Sequence, residues 1–228
     1  MLALEGLRLE QGDFTLEAEW RAEAGARIAV IGPSGAGKST LLMGIAGFLE
    51  PAAGRVLIGG ADMAGKPPGD RPLSLLFQEG NLFSHMSVAQ NVGLGLRPDL
   101  RLSREDSRAV GAALERVGLG GMGGRKPRAL SGGQQSRVAL ARVLLRHRPV
   151  LLLDEPFAAL GPALKTEMLD LVDEIAGEAV VLMVTHDPND ARRFAPQAVL
   201  VAEGRAGAPV ATGPLLDDPP EVLRAYLG

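Results

Sequence analysis

A phosphate-binding motif limits what this chain can fold into more than any other feature of its sequence. Residues 32–39 read Gly-Pro-Ser-Gly-Ala-Gly-Lys-Ser and match the pattern G-x-x-x-x-G-K-[ST] in full. The motif follows the apolar run 27–31, typical of a buried strand, and precedes a predicted helix at 40–49. Its glycines let backbone amides approach phosphate, Lys38 is expected to reach the β- and γ-phosphates, and Ser39 to ligate Mg²⁺. A fortuitous glycine-rich turn is the alternative, which the flanking strand and helix disfavour.

Two acidic residues and a histidine directly follow other apolar runs. Asp154 and Glu155 come after the predicted strand 150–153, and His186 follows the predicted strand 179–184. Chemistry in α/β sheets takes place outside the carboxyl ends of the strands. A nucleotide hydrolase needs one acid for the Mg²⁺ shell, which suits Asp154, and another to polarise water, which suits Glu155. His186 is a candidate hydrogen-bonding partner of phosphate and attacking water. Taken singly, a solvated turn and a structural histidine are the alternatives.

The alternation of apolar segments predicts a mainly parallel sheet covered by helices. An antiparallel pair is expected at 2–9 and 14–20. Short helical segments without chemical motifs, 88–96 and 104–117, indicate a helical subdomain inserted at about 81–148. The remaining predicted strands are 27–31, 55–58, 73–77, 150–153, 179–184, 197–202 and 206–211, and the remaining helices are 40–49, 131–146, 162–176 and 219–227.

Composition excludes several classes of function. The chain has 228 residues, no cysteine and a formal net charge of −3. Thiol catalysis, disulfide scaffolds and zinc-thiolate sites are therefore excluded, and nucleic-acid binding through overall basicity is disfavoured. No run of about 20 apolar residues is present, so we expect no membrane span.

A second glycine-rich segment connects these motifs to a known family. Residues 130–134 read Leu-Ser-Gly-Gly-Gln at the start of a predicted helix, an arrangement suited to an anion. This segment resembles the signature of ABC-transporter ATPases, and the family's other motifs occur in order. They are the Q-loop at Phe77-Gln78, the Walker B segment at 151–156 and the switch histidine, His186. The resemblance covers almost the whole chain. It implies one ABC ATPase domain over 1–228, with a P-loop NTPase core of α/β class, an N-terminal antiparallel β-subdomain and the inserted helical subdomain.

The resemblance also implies that two subunits share each ATP-binding site. Two copies would form a head-to-tail homodimer that holds two ATP molecules between them. The implied catalytic residues are Glu155, His186 and Gln78, and the implied Mg²⁺ ligands are Ser39, Gln78 and Asp154. The implied ATP-binding residues are Gly32, Pro33, Ser34, Gly35, Ala36, Gly37, Lys38, Ser39 and Thr40 of one subunit and Ser131, Gly132, Gly133 and Gln134 of the other.

Within the family, residues 75–95 are similar to the ATP-binding subunits of bacterial thiamine importers. Such a subunit would lie at the cytoplasmic face of the inner membrane against separate transmembrane permease subunits. It would act with a periplasmic solute-binding protein only indirectly, and with no nucleic acid. Thiamine pyrophosphate is a further candidate solute. An iron or polyamine importer, and a non-transport ABC ATPase, are the alternatives.

Three features depart from the family pattern. Gly161 stands where the D-loop has Asp, and Gln135-Ser136 follows the signature where Arg or Gln is usual. The N-terminal hairpin lacks the usual adenine-stacking tyrosine, and its nearest aromatic residue, Phe14, is expected to pack inward.

Overall fold

The computed structural model describes residues 1–77, 82–158 and 160–227. The chain forms two compact units. The first unit comprises Met1–Leu73, Arg148–Asp154 and Gly177–Gly228, and the second comprises Ser74–His147 and Glu155–Ala176.

The regular elements alternate as the sequence predicts, with additional short elements near the C-terminus. The strands are β1 (Leu2–Gln11), β2 (Phe14–Ala22), β3 (Arg27–Ile31), β4 (Ala53–Ile58), β5 (Ala61–Asp62), β6 (Leu73–Leu76), β7 (Val150–Asp154), β8 (Val180–Val184), β9 (Gln197–Ala202), β10 (Arg205–Ala206) and β11 (Val210–Ala211). The helices are α1 (Lys38–Ala46), α2 (Val88–Gly93), α3 (Arg104–Arg116), α4 (Gly132–Leu144), α5 (Pro162–Ala176), α6 (Pro188–Phe194), α7 (Thr212–Asp217) and α8 (Glu221–Leu227), and Pro127–Ala129 forms a 3₁₀ turn.

The N-terminal strands form the predicted antiparallel subdomain. Strand β1 pairs antiparallel with both β2 and β4. Leu7, Leu9 and Leu16 are buried at alternate positions of these strands, which is the pattern of a sheet with one covered face. Strand β10 joins this layer to the rest of the first unit, because it pairs with β2 on one side and β9 on the other.

The parallel strands form the centre of the first unit. Strand β3 lies between β8 and β9, and β7 pairs with β8, all in parallel. Every residue of β3 and β8 is buried, which is typical of parallel strands covered on both faces. Continuous apolar runs rather than alternation therefore mark these strands in the sequence.

Helix α1 follows β3 and covers part of this unit. Its buried residues include Leu41, Leu42 and Ile45, and the helix contacts β1 and β7. The helix ends at Gly47, whose φ of 85° is left-handed and whose N–H donates to the carbonyl of Gly44.

In the second unit, α2 packs on α3 and α4, and α4 also packs on α5. Ser87 and Gln90 form a capping box at α2, and Ser103 and Asp106 form one at α3. Within the described ranges, no helix is long and apolar enough to cross a membrane.

Most errors of the sequence-based assignment lie in the C-terminal region, although β5 and the 3₁₀ turn at Pro127–Ala129 were not predicted either. The single strand predicted at 206–211 is wrong, because Arg205–Ala206 and Val210–Ala211 are separate two-residue strands. Between them, Gly207 donates its N–H to Leu200 and Pro209 has no N–H to donate. Helix α6 was not predicted, although Asp187 caps it and Pro188 occupies its first position. Helix α7 was not predicted either, since Gly213 and Pro214 obscure it.

Candidate nucleotide-binding site

Three parallel strands end at the same edge of the first unit's sheet. Val30 of β3 and Asp154 of β7 both lie opposite Val184 of β8 in the strand register. The glycine-rich motif directly follows β3, Asp154 is the last residue of β7, and His186 lies two residues beyond β8. The strand register thus brings the phosphate motif, the first carboxylate and the histidine to one edge of the sheet.

Two glycines of the loop, Gly32 and Gly37, leave no room for a Cβ atom. Gly32 has a φ of 149°, and a Cβ at this position would overlap the backbone carbonyl of Val201. A Cβ at Gly37, whose φ is 102°, would lie 2.6 Å from the Cζ atom of Phe14. Both positions therefore require glycine for backbone and steric reasons. Phe14 is half-buried, with its ring against the loop.

The Lys38 side chain is buried inside the loop and binds its backbone. The residue is 9% exposed, and its Nζ donates to the carbonyls of Gly32 at 2.7 Å and Pro33 at 2.8 Å. Ser39 is exposed and Thr40 half-buried in the first turn of α1, which contains no acidic residue. A lysine ammonium and the amino end of a helix together make the loop electropositive, and such a loop attracts a phosphate anion.

The second predicted acid has an unusual backbone. Asp154 and Glu155 are both half-buried, and Glu155 has a φ of 45°. Few residues other than glycine adopt this left-handed conformation, and such strain clusters at functional sites. Asp154 has the extended backbone of β7, whereas Glu155 has a left-handed backbone. The chain therefore changes direction between the two acidic residues.

His186 is exposed, and hydrogen bonds hold the residues on either side of it. Thr185 donates its N–H to Val30 at 3.4 Å, which continues the β3–β8 ladder by one residue. Its hydroxyl donates to Asp190 at 3.3 Å and accepts from the N–H of Asp187 at 3.1 Å. Sequence reasoning missed Thr185 and Asp190, and their available signal was the Asp-Pro start of α6.

The signature segment caps a helix of the second unit. Ser131 Oγ accepts from the N–H of Gln134 at 3.3 Å, and Gln134 Oε1 accepts from the N–H of Ser131 at 3.0 Å. Ser131 and Gly132 are exposed, and no described atom would lie within 4 Å of a Cβ at Gly132. Gln135 donates to Pro127 and Leu130 and so ties the preceding turn to α4.

Gln78 and Gly161 were also singled out from the sequence. Gln78 lies outside the described residues. Gly161 directly precedes α5, its φ is not left-handed, and a Cβ there would meet no described atom within 4 Å. An aspartate therefore fits this backbone, and Asp is a better N-cap than Gly by a few tenths of a kcal/mol.

The fold and the grouped motifs define a phosphate-loop nucleotide hydrolase. A family model described as "ABC transporter" matches residues 16–158. The thiamine import ATP-binding protein ThiQ of Cereibacter sphaeroides is 64% identical over the full length of both chains. The protein of the same name from Brucella suis is 50% identical, covering 100% of this chain and 95% of that one.

Among solved structures, the dimeric ATP-binding cassette MJ0796 bound to ADP and Pi superposes with a TM-score of 0.82 at 28% identity. The match covers 93% of this chain and 99% of that chain. The chain therefore belongs to the ABC transporter family, as one of its ATP-hydrolysing subunits. The predicted fold class is confirmed.

The close fit at Gly32 generates a stability prediction. We expect Gly32→Ala to lower the free energy of unfolding by about 1–3 kcal/mol more than Gly35→Ala, because only the first variant places a Cβ against backbone. Gly35 is the matched control, since its φ of 76° is also left-handed but its Cβ would meet nothing within 4 Å. Urea denaturation of the nucleotide-free chain measures both. Equal losses would show that the Val201 contact does not constrain the loop.

Proposed function

We propose that this chain is the ATP-hydrolysing subunit of a bacterial importer of thiamine, with thiamine pyrophosphate as a second candidate solute. The observation that supports thiamine as the solute is the sequence identity of 64%, over the full length of both chains, to a protein named for thiamine import. A relative of the same name in Ruegeria is 57% identical over the whole of both chains. The grouping of the phosphate loop, Asp154 and His186 at one sheet edge supports the ATPase activity.

For the phosphates of ATP, we propose binding by the loop from Gly32 to Thr40. Lys38 supplies a cation from within the loop, and the amino end of α1 supplies N–H donors. The oxygen donors at this edge fit Mg²⁺, which prefers hydroxyl, carboxylate, water and phosphate oxygens. Ser39, Asp154 and Gln78 would hold this ion, which supplies charge neutralisation at the phosphates.

For hydrolysis, we propose that Glu155 polarises the attacking water as a general base. Glu155 directly follows the proposed Mg²⁺-holding acid in the chain, and its carboxylate can accept a proton from water. His186 is exposed at the same edge as the phosphate loop, and its imidazole would hydrogen-bond the γ-phosphate. Gln78 would sense the water and the ion from the Q-loop.

A homodimer explains the exposed signature segment. Gly132 needs neither a left-handed φ nor space from its own chain, so the described contacts give no internal reason for glycine there. We propose that Ser131, Gly132, Gly133 and Gln134 approach the γ-phosphate bound by a second copy. The structural neighbours are themselves described as dimeric cassettes, which supports this proposal.

For the domain organisation, we propose one ATPase domain over 1–228 with a helical subdomain inserted at about 81–148. The mutual packing of α2, α3 and α4 supports the inserted subdomain. Helix α5 belongs to the same compact unit as these three helices.

The loop before α2 is our proposed contact with the permease. Phe83 is 47% exposed, and its ring lies edge-on to His85 with centroids 6.0 Å apart. Asn91 is fully buried and holds this loop, since its Oδ1 accepts from the N–H of Phe83 at 2.8 Å and its Nδ2 donates to Phe83 at 3.1 Å. Lys126 Nζ also donates to His85 O at 2.7 Å.

An exposed aromatic side chain on a backbone that hydrogen bonds hold in place suits an amphipathic helix of a partner. We propose that a cytoplasmic helix of each permease subunit docks on Phe83 and so keeps the ATPase at the inner membrane. The solute-binding protein would then communicate with this chain only through the permease.

The catalytic assignment predicts the phenotype of Glu155→Gln. Turnover should fall at least about 100-fold while ATP binding is kept, because the amide retains the shape of the side chain but cannot accept the proton. The substitution also leaves the backbone cost of the left-handed φ nearly unchanged. Phosphate release measures turnover, and size-exclusion chromatography should show a stable ATP-bound dimer.

Lys38→Ala is the contrasting variant for this experiment. It should weaken ATP binding itself, because it removes a cation from the phosphate loop. Wild-type turnover in Glu155→Gln would exclude Glu155 as the base.

The docking proposal predicts the phenotype of Phe83→Asp. A charge at the centre of the contact should weaken assembly with the permease by at least about 2 kcal/mol and abolish thiamine uptake. Basal ATPase of the isolated subunit should persist, since Phe83 is not among the residues proposed to bind ATP. Phe48→Asp is the matched control, because Phe48 is 54% exposed in the first unit. Normal assembly and uptake with Phe83→Asp, or equal losses in both variants, would contradict the proposed docking site.

A further inference from the structure

A buried arginine forms hydrogen bonds to the carboxyl end of α1, which is the end remote from the phosphate loop. Arg71 is 2% exposed, and its Nη1 donates to the carbonyls of Gly44 at 3.1 Å and Ile45 at 2.9 Å. Its Nε donates to the carbonyl of Lys66 at 3.0 Å. The side chain therefore ties the last turn of α1 to the loop that precedes β6.

Among the residues that the structure describes, backbone oxygens and no carboxylate accept hydrogen bonds from Arg71. Burial lowers the pKa of Arg71, while Glu50 and Asp62 act on it only through longer-range attraction. An arginine side chain nevertheless stays protonated in proteins. The last carbonyls of a helix lack partners within the helix and carry its negative end, so a cation there is stabilising. The last turn of α1 contains no basic residue of its own.

The neighbouring backbone is shaped around this guanidinium. Gly47 closes α1, and a Cβ there would lie 2.6 Å from the Cζ atom of Arg71. Glycine at this position therefore serves two needs, the left-handed φ of 85° and the space that Arg71 fills. The close approach of Gly47 to the guanidinium leaves no room for a Cβ atom at this end of the helix.

We propose that Arg71 is a positioning residue for the nucleotide site, which acts on bound phosphate through α1. The first turn of α1 contains Lys38 and Ser39, and a helix of nine residues spans about 13 Å. Arg71 fixes the carboxyl end of this short helix, so the direction of its amino end toward the phosphate is fixed as well. The inference rests on the proposed role of the phosphate loop in binding ATP.

The test compares Arg71→Gln with Arg71→Lys and with a matched control. The control is Arg27→Gln, because Arg27 is also a buried arginine, 9% exposed, that donates to the carbonyls of Gly25, Gly177 and Ala179. Arg27 begins β3 and so lies at the sheet edge opposite the phosphate loop. Titration with MgATP gives the Kd of each purified chain, and the KM and kcat for ATP are measured below the thermal transition of every variant.

For Arg71→Gln, we expect the Kd and KM for ATP to rise about tenfold, as for a loss of one charged positioning contact. Arg71→Lys keeps a cation near the carbonyls and should recover part of this loss. Arg27→Gln should lower Tm but leave Kd and KM at wild-type values. Lost folding alone reduces the amount of active protein and hence kcat, but does not change the KM of the molecules that remain folded.

Gly47→Ala provides a second route if Arg71→Gln does not fold. This variant displaces the guanidinium without removing it and should also raise the Kd for ATP. A wild-type Kd in folded Arg71→Gln or Gly47→Ala, or the same rise in Arg27→Gln, would overturn the positioning role. If Lys38→Ala also bound ATP like wild type, the proposed phosphate site itself would fail, which is a distinguishable result.

Discussion

The parallel register of three central strands is the constraint on which the nucleotide site depends. Val30, Val184 and Asp154 lie side by side, so the chain segments after β3, β8 and β7 leave the sheet at one edge. A slip of one residue would turn the side chains of a strand to its other face. The buried valines and leucines of these strands therefore serve the site as well as the core, because their packing fixes the register that places Asp154 and His186.

Charged side chains hold both ends of α1, in addition to the strand register that places the residues of the site. Lys38 donates to the carbonyls of its own loop at the amino end, and Arg71 donates to the last carbonyls at the carboxyl end. Both cations are largely buried and both bind backbone oxygens. The helix is thus fixed by charged side chains at two points, with glycines of left-handed backbone, Gly37 and Gly47, at its two ends. Both ends of α1 are therefore held by the chain itself, which suits the phosphate site proposed above.

Much of the fold was predictable because local signals were strong. The strand at 27–31 and the helix at 162–176 have the predicted bounds, since a continuous apolar run and a Pro at the first helical position leave little ambiguity. The strand at 206–211 was wrong because glycine and proline interrupt a pattern that reads as continuous. The family resemblance supplied candidate roles for His186 and the signature segment that their local sequence alone does not specify.

Other features depend on contacts between distant residues and leave no local signal. Arg71 reaches carbonyls 26 and 27 residues earlier in the chain, and a lone arginine in a loop reads as a solvated charge. The left-handed φ of Glu155 is equally invisible, because glutamate rarely adopts it. Gln78 stays a prediction, since it lies outside the described residues.

ATP hydrolysis by this chain is proposed to drive thiamine import through a separate permease. The most direct measurement is the ATPase rate of the complex copurified from native membranes, reconstituted with its solute-binding protein and titrated with thiamine. Thiamine, or thiamine pyrophosphate, should stimulate hydrolysis, and Glu155→Gln in the same complex should abolish the stimulated rate. Stimulation by iron or a polyamine in place of thiamine, or a rate that no solute changes, would contradict the account.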